Sequence, residues 1–166
     1  MEALVSRLNK LSEDQPFQVG WYLKNLQTGQ TAERNGDVVV PSASTRKIAI
    51  LMAALKAVNE GSLVLDQPVT IQAKYQDNDS GTFQHLKPGF TIQLRDALVM
   101  MIIVSDNTCT GTVADLVGLD NVNALCRSIG ISLSSPVSGS NGGSPATKIM
   151  LPARVTGEVG AFQRSR

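Results

Sequence analysis

The sequence predicts an α/β fold with a helical core and a small antiparallel sheet. Three observations carry that prediction: several segments with apolar residues at helical spacing, a run of strand formers near the N-terminus that turns back on itself, and enough apolar chain to fill a core. At 166 residues, 42% apolar and 17% charged, the chain makes one domain able to bury roughly two thirds of the surface its unfolded form exposes.

Ala3, Leu4, Leu8 and Leu11 recur at helical spacing, so residues 2–12 form an amphipathic helix that stops before Asp14-Gln15-Pro16. From Gln18 to Leu26 the chain is rich in strand formers, Thr28-Gly29 supplies a turn, and Gln30 to Arg34 returns as the second strand of a hairpin. The segment Ser44 to Glu60 places Ile48, Leu51, Met52, Leu55 and Val58 at helical spacing and ends at Gly61. Residues 62–90 read as irregular, with the turn Lys87-Pro88-Gly89. Within them Asp77 and Asp79 cap a loop and do not bind calcium, because no glutamate follows at the required spacing. Leu94 to Val104 is apolar almost all round, as a helix covered on every side would be. Ser105-Asp106-Asn107 interrupts the pattern before helices over Thr108–Val117 and Asn121–Ile129, the second with Asp120 as N-cap and Gly130 as its stop. From Ile131 to Pro145, 12 of the residues are Ser, Gly, Pro or Asn. The expected organisation is therefore a helical core with its hairpin over 1–130, a flexible linker over 131–147 and a returning strand of the same domain over 148–166.

Charge excludes some partners. Fifteen Lys and Arg stand against 14 Asp and Glu, and no run of like charge is longer than the pair Arg46-Lys47, so no footprint for nucleic acid or an anionic membrane is visible. The longest charge-free apolar stretch, Ala97 to Val104, is far short of the roughly 20 residues a bilayer needs. A soluble chain is expected, with no membrane span and no leader segment at its start. Cys109, Cys126 and the single His85 are too few for a disulfide framework or a zinc site, so no metal or other cofactor is expected. Both cysteines read as small buried side chains and His85 as a solvated loop residue.

The chemistry-bearing pattern is Ser44-Thr45-Arg46-Lys47 at the mouth of the long helix. A three-residue step is nearly one turn, which sets the Ser44 hydroxyl and the Lys47 amine on one face within hydrogen-bond reach. The positive dipole end and burial there both push a lysine toward its neutral, basic form, and a neutral lysine beside a serine is an activated nucleophile. Ser and Lys three apart also occur by chance on exposed helices. The second element, Ser105-Asp106-Asn107, changes that weighting: Ser105 can relay a proton between Lys47 and a leaving group, and Asn107 can hold a substrate amide. Ser105 or Asp106 can equally cap the helix that follows, and the two roles are compatible.

With these two motifs the sequence resembles the class A serine β-lactamases and their penicillin-binding relatives, for which S-x-x-K with S-D-N is a known pair. The flanking text is similar over roughly residues 1–130: Pro41 through Lys47, Glu60-Gly61, Leu86-Lys87-Pro88-Gly89, Leu94-Arg95-Asp96-Ala97-Leu98, and Met101 through Thr108. The resemblance implies that Ser44 is the acylated nucleophile, Lys47 its proton acceptor, Ser105 the relay and Asn107 a substrate contact, with no cofactor.

The departures bear on turnover. In the resembling family a deacylating glutamate lies in a loop after the region matching Gly130, whereas no Glu occurs here from 131 to 157. The family's third motif, Lys-Thr-Gly or Lys-Ser-Gly on a strand, survives only as Val155-Thr156-Gly157-Glu158, without its lysine. The resemblance implies that Thr156, Gly157 and Glu158 line the substrate on that strand. Thr156 would contact a carboxylate, and the backbone N–H groups of Ser44 and Glu158 would form the oxyanion hole. An ordinary edge strand with a glycine bend is the competing reading. The family's last strands and closing helix have no counterpart, so the fold is expected to be truncated, with self-association or a partner chain covering the incomplete sheet. The expected function is a serine hydrolase that opens β-lactam amides through an acyl-serine and is impaired in deacylation. The alternatives are a non-catalytic penicillin- or peptidoglycan-peptide-binding module, or an inactive fragment. Periplasmic or secreted localisation follows from the resemblance alone.

Overall fold

Residues Glu2–Glu13 form α1, with Glu2 in its first turn and Lys10 in its last, as the helix dipole favours. The computed structural model describes residues 1–36, 38, 40–76, 80–131 and 150–151. The expected linker beyond Ile131, the 148–166 strand apart from Met150–Leu151, and the Asp77 and Asp79 cluster lie outside the described residues. Polar side chains tie α1 to the hairpin that follows. Trp21 Nε1 donates to Ser12 Oγ at 3.2 Å, and Arg34 reaches Asn9 Oδ1 and Glu13 Oε1, each at 3.2 Å.

The hairpin strands β1 (Trp21–Lys24) and β2 (Thr31–Arg34) pair antiparallel, Trp21 opposite Arg34 and Lys24 opposite Thr31. They are shorter than the sequence predicts because the Asn25 side chain starts the turn early, accepting from the N–H groups of Gln27 and Thr28 at 2.9 and 3.1 Å. The short strand β3 (Val40–Pro41) pairs antiparallel with the last described segment, β6 (Met150–Leu151).

The long helix begins later than its apolar spacing predicts. Ala43–Thr45 is a 3₁₀ turn, and the α-helix α2 covers Arg46–Asn59. Ser44 therefore stands in a tight turn leading into the helix, with Lys47 in the first turn of α2. The stretch expected to be irregular holds a second strand pair, β4 (Pro68–Thr70) with β5 (Thr91–Gln93), and β5 runs directly into α3 (Leu94–Ile103). Helices α4 (Asn107–Val117) and α5 (Leu119–Ser128) complete the bundle.

The core lies among α2, α3, α4 and α5. Its fully buried members include Ala54, Leu94, Ala97, Met101, Cys109, Val113 and Val122, with Val69 from β4 packed on them. Small residues on α2 let the helices approach closely, and each fully buried large aliphatic stabilises the fold by roughly 1.5–3 kcal/mol. Two sequence expectations are corrected. Among the described residues, the helix α3 buries one face, that of Leu94, Ala97, Leu98 and Met101, while Val99, Ile102 and Ile103 are exposed. Asp120 is not the N-cap of α5: Gly118, at φ +82°, turns the chain there, and Asp120 sits inside the first turn where its charge complements the dipole.

Candidate active site

Lys47 is the largest fully buried side chain, 2% exposed, and a buried ammonium is costly unless each of its protons finds an acceptor. The fold supplies them from a single turn. Nζ lies 2.5 Å from the Ser105 carbonyl oxygen, 2.8 Å from Ser105 Oγ and 2.8 Å from Asn107 Oδ1. Ser105 Oγ in turn lies 2.8 Å from Ser44 Oγ. Burial, reinforced by the neighbouring Arg46 charge and opposed by Asp106, pulls the Lys47 amine down to about 8. The expectation of a lowered lysine holds, with burial and Arg46 as its causes.

The Ser105-Asp106-Asn107 turn is built to present these groups. Asp106 is fully buried and caps α4, its Oδ1 accepting from the Cys109 N–H at 2.9 Å. Its other oxygen, Oδ2, accepts from the N–H groups of Thr82 and Phe83 at 2.7 and 2.9 Å, so the same carboxylate holds the 80–83 loop against the turn. Gly81 makes that approach sterically allowed. It sits at φ +107°, and a Cβ there would fall 2.3 Å from Asp106 Oδ2 and 2.5 Å from Asp106 Cα.

Ala43 and Ser105 have φ of +45° and +56°, conformations that cost a non-glycine residue of order 1–3 kcal/mol. One immediately precedes Ser44 and the other carries the hydroxyl bonded to it. Both strained residues thus bear directly on the Ser44 hydroxyl. In the same turn, the buried Ser42 Oγ has no hydrogen-bond partner among the described residues, while the Ser42 carbonyl accepts the Thr45 N–H at 3.0 Å. An unsatisfied buried hydroxyl destabilises. Ser42→Ala is expected to raise stability by about 1 kcal/mol in a urea titration, and a loss of that size would show that the hydroxyl is in use.

Ser44, Lys47, Ser105 and Asn107 are therefore brought together, but the Ser44 hydroxyl meets the Lys47 amine through Ser105 and not across one helical face as the spacing predicts, because Ser44 stands in the 3₁₀ turn before α2. Ser44 is exposed, Lys47 is buried, and Ser105 bridges them. Thr156, Gly157 and Glu158 lie outside the described residues. The reading of the sequence missed Ser80, Gly81, Thr82 and Phe83, whose backbone and side chains meet the turn; the only local signal was the turn-forming Ser80-Gly81 pair. The His85 side chain is exposed. Burial pushes the thiols of Cys109 and Cys126 up, away from the reactive thiolate, with Asp106 adding to the effect on Cys109. Among the described residues no cluster of His, Cys, Asp and Glu could hold a metal ion, and no helix is long and apolar enough to cross a membrane.

Comparison with known proteins gives one family. The family model described as the beta-lactamase enzyme family matches residues 3–156. No curated protein sequence matches the chain. Among solved structures, a mutant of PBP-A in an acyl-enzyme complex with penicillin G superposes with a TM-score of 0.80 at 29% identity, over 92% of this chain and 58% of that one. A beta-lactamase from Sphaerobacter thermophilus DSM 20745 gives 0.75 at 32% identity, over 90% of this chain and 57% of that one. An ancestral class A beta-lactamase shares the fold, at 0.72 and 23% identity. The chain thus spans about 58% of the length of the first of these proteins.

Proposed function

The chain belongs to the beta-lactamase enzyme family, and from that membership we propose that it is a serine hydrolase of β-lactam amides in which Ser44 is acylated. The observation that carries the proposal is the continuous path Ser44 Oγ, Ser105 Oγ, Lys47 Nζ, with both steps at 2.8 Å and a buried amine of lowered basicity at its end.

With Lys47 neutral, the hydroxyl protons run the other way along this path. Ser44 Oγ donates to Ser105 Oγ, and Ser105 Oγ donates to the Nζ lone pair. As Ser44 Oγ bonds to the β-lactam carbonyl carbon, its proton passes to Ser105 while the Ser105 proton passes to Lys47, which becomes an ammonium. The carbonyl oxygen becomes an oxyanion. The Ser44 N–H, in the first turn of a 3₁₀ segment with no partner inside that turn, is one donor for it; the Glu158 N–H is the proposed second. Collapse breaks the C–N bond. The departing nitrogen takes the Ser105 proton, Lys47 refills Ser105, and the amine ends neutral with Ser44 esterified.

Asn107 turns its Oδ1 to Lys47, which leaves its Nδ2 to donate to the amide carbonyl of the substrate side chain. Thr156 and Gly157 complete the proposed substrate contacts. The PBP-A relative was captured as an acyl-enzyme with penicillin G, which supports a β-lactam as the acyl donor here. The test is intact mass after incubation with penicillin G, followed by peptide mapping. One penicillin per chain on the peptide containing Ser44 is expected; no adduct, or one on another serine, overturns the proposal.

A further inference from the structure

We propose that Ser80 is a positioning residue for Ser105, clamping the peptide groups that follow it so that Ser105 keeps the left-handed backbone conformation from which its hydroxyl bridges Ser44 and Lys47. The inference rests on the reading of Ser105 as the proton relay.

Ser105 at φ +56° is a strained residue, and strain of this kind persists only where the surroundings over-determine it. Relaxation to a negative φ would swing its Cβ, and the hydroxyl with it, away from Ser44 and Lys47. Two hydrogen bonds from one residue oppose that relaxation. Ser80 Oγ donates to the Ser105 carbonyl at 3.2 Å, and the Ser80 carbonyl accepts the Asn107 N–H at 2.9 Å. Between them the Asp106 N–H is taken by the Met100 carbonyl at 3.2 Å. Ser80 is itself held, because Gly81 admits the loop against Asp106 and the Asp106 carboxylate binds the two amides beyond it.

The clamp matters most in the reactive state. The Ser105 carbonyl has two side-chain donors, Lys47 and Ser80. When Lys47 loses its proton, it turns its lone pair toward the Ser105 hydroxyl and its two remaining N–H groups no longer carry a positive charge, so its hold on the carbonyl weakens just as the relay must work. Ser80 then carries the carbonyl. Among the described residues, the charged and titratable groups facing this turn are Lys47 and Arg46 from the start of α2, Asp106, and Cys109 in the first turn of α4. Burial and the Arg46 charge bring the Lys47 amine down to about 8.

The experiment reads the sign of φ at Ser105 directly, from the intraresidue amide-to-Hα contact and three-bond coupling in NMR spectra of the full chain. It compares the parent, Ser80→Ala and Ser80→Thr on either side of pH 8. The parent and Ser80→Thr are expected to keep the positive-φ signature throughout. Ser80→Ala is expected to keep it below pH 8 and lose it above, with the same melting temperature within a few degrees. Retention in Ser80→Ala at both pH values overturns the inference, as does equal loss at both, which would mark Ser80 as a general structural contact. In the acylation assay, Ser80→Ala is expected to be about tenfold slower above pH 8, the loss of one hydrogen bond, and Ser80→Thr to restore the rate. A Ser80→Ala rate equal to the parent's also overturns it. If the parent takes up no penicillin, the proposed function fails while the NMR comparison still decides the role of Ser80.

Discussion

Replacing Lys47 by alanine is expected to slow acylation of Ser44 by about a hundredfold or more, the usual contribution of a positioned general base. Ser44→Ala, run beside it, should give no adduct at all. The buried amine stands at the end of the Ser44–Ser105 path, and no other titratable group reaches either hydroxyl through a hydrogen bond among the described residues. The sign of the pH dependence follows from the lowered lysine. Only the neutral amine accepts a proton, and with its ammonium losing a proton near 8, the rate should rise with pH and level off above about 8. Below that point it should fall about tenfold per pH unit. Alanine also removes the donor that satisfies Ser105 and Asn107, so a Lys47→Met chain, which keeps most of the stem's volume, separates lost basicity from lost packing. Both variants slow, with the parent's pH profile abolished, is the expected result. A Lys47→Met rate equal to the parent's would make Lys47 a buried structural cation.

The core helices were legible in the sequence because they depend on short-range periodicity. Val113 and Val117 on α4 and Val122 and Cys126 on α5 follow from which residues share a helix face, whereas Ser44 stands in the 3₁₀ turn and meets Lys47 through Ser105. Three features were not legible, each for a different reason. The 3₁₀ entry at Ala43–Thr45 leaves the apolar spacing of α2 unchanged, so periodicity cannot distinguish it from another helical turn. The β4–β5 pair is three residues long on each side and carries a proline, too short to alternate recognisably. The tie between Asp106 and the 80–83 loop is a tertiary contact across more than 20 residues, made by a side chain that a local reading already explains as a cap. The exposed flank of α3 is missed for a related reason: a helix apolar almost all round says that most faces can be buried, not which described element buries them.

The acyl-enzyme, once formed, is expected to outlast its formation, so that the protein binds one equivalent of β-lactam and releases it slowly. Hydrolysis of an acyl-serine needs a base to activate water on the ester face, and in class A enzymes a glutamate takes that part. No Asp, Glu, His or Cys occurs between Ile131 and Gly157. Among the described groups, the Asp106 carboxylate is fully buried and bonded to three backbone amides, which keeps it from water. His85 stands in an exposed 3₁₀ turn, outside the hydrogen-bonded path that reaches Ser44. Lys47 is tied to Ser105 and Asn107, on the side proposed to protonate the departing nitrogen. Loss of general-base assistance costs about a hundred- to ten-thousand-fold, enough to turn a catalyst into a stoichiometric acceptor. With a chromogenic cephalosporin, the expected trace is a burst of about one equivalent followed by a slow steady phase, with the adduct visible by intact mass throughout. Many turnovers per second without accumulating adduct would show that Lys47 or the Glu158 carboxylate activates water, and Lys47→Met and Glu158→Gln would then identify which.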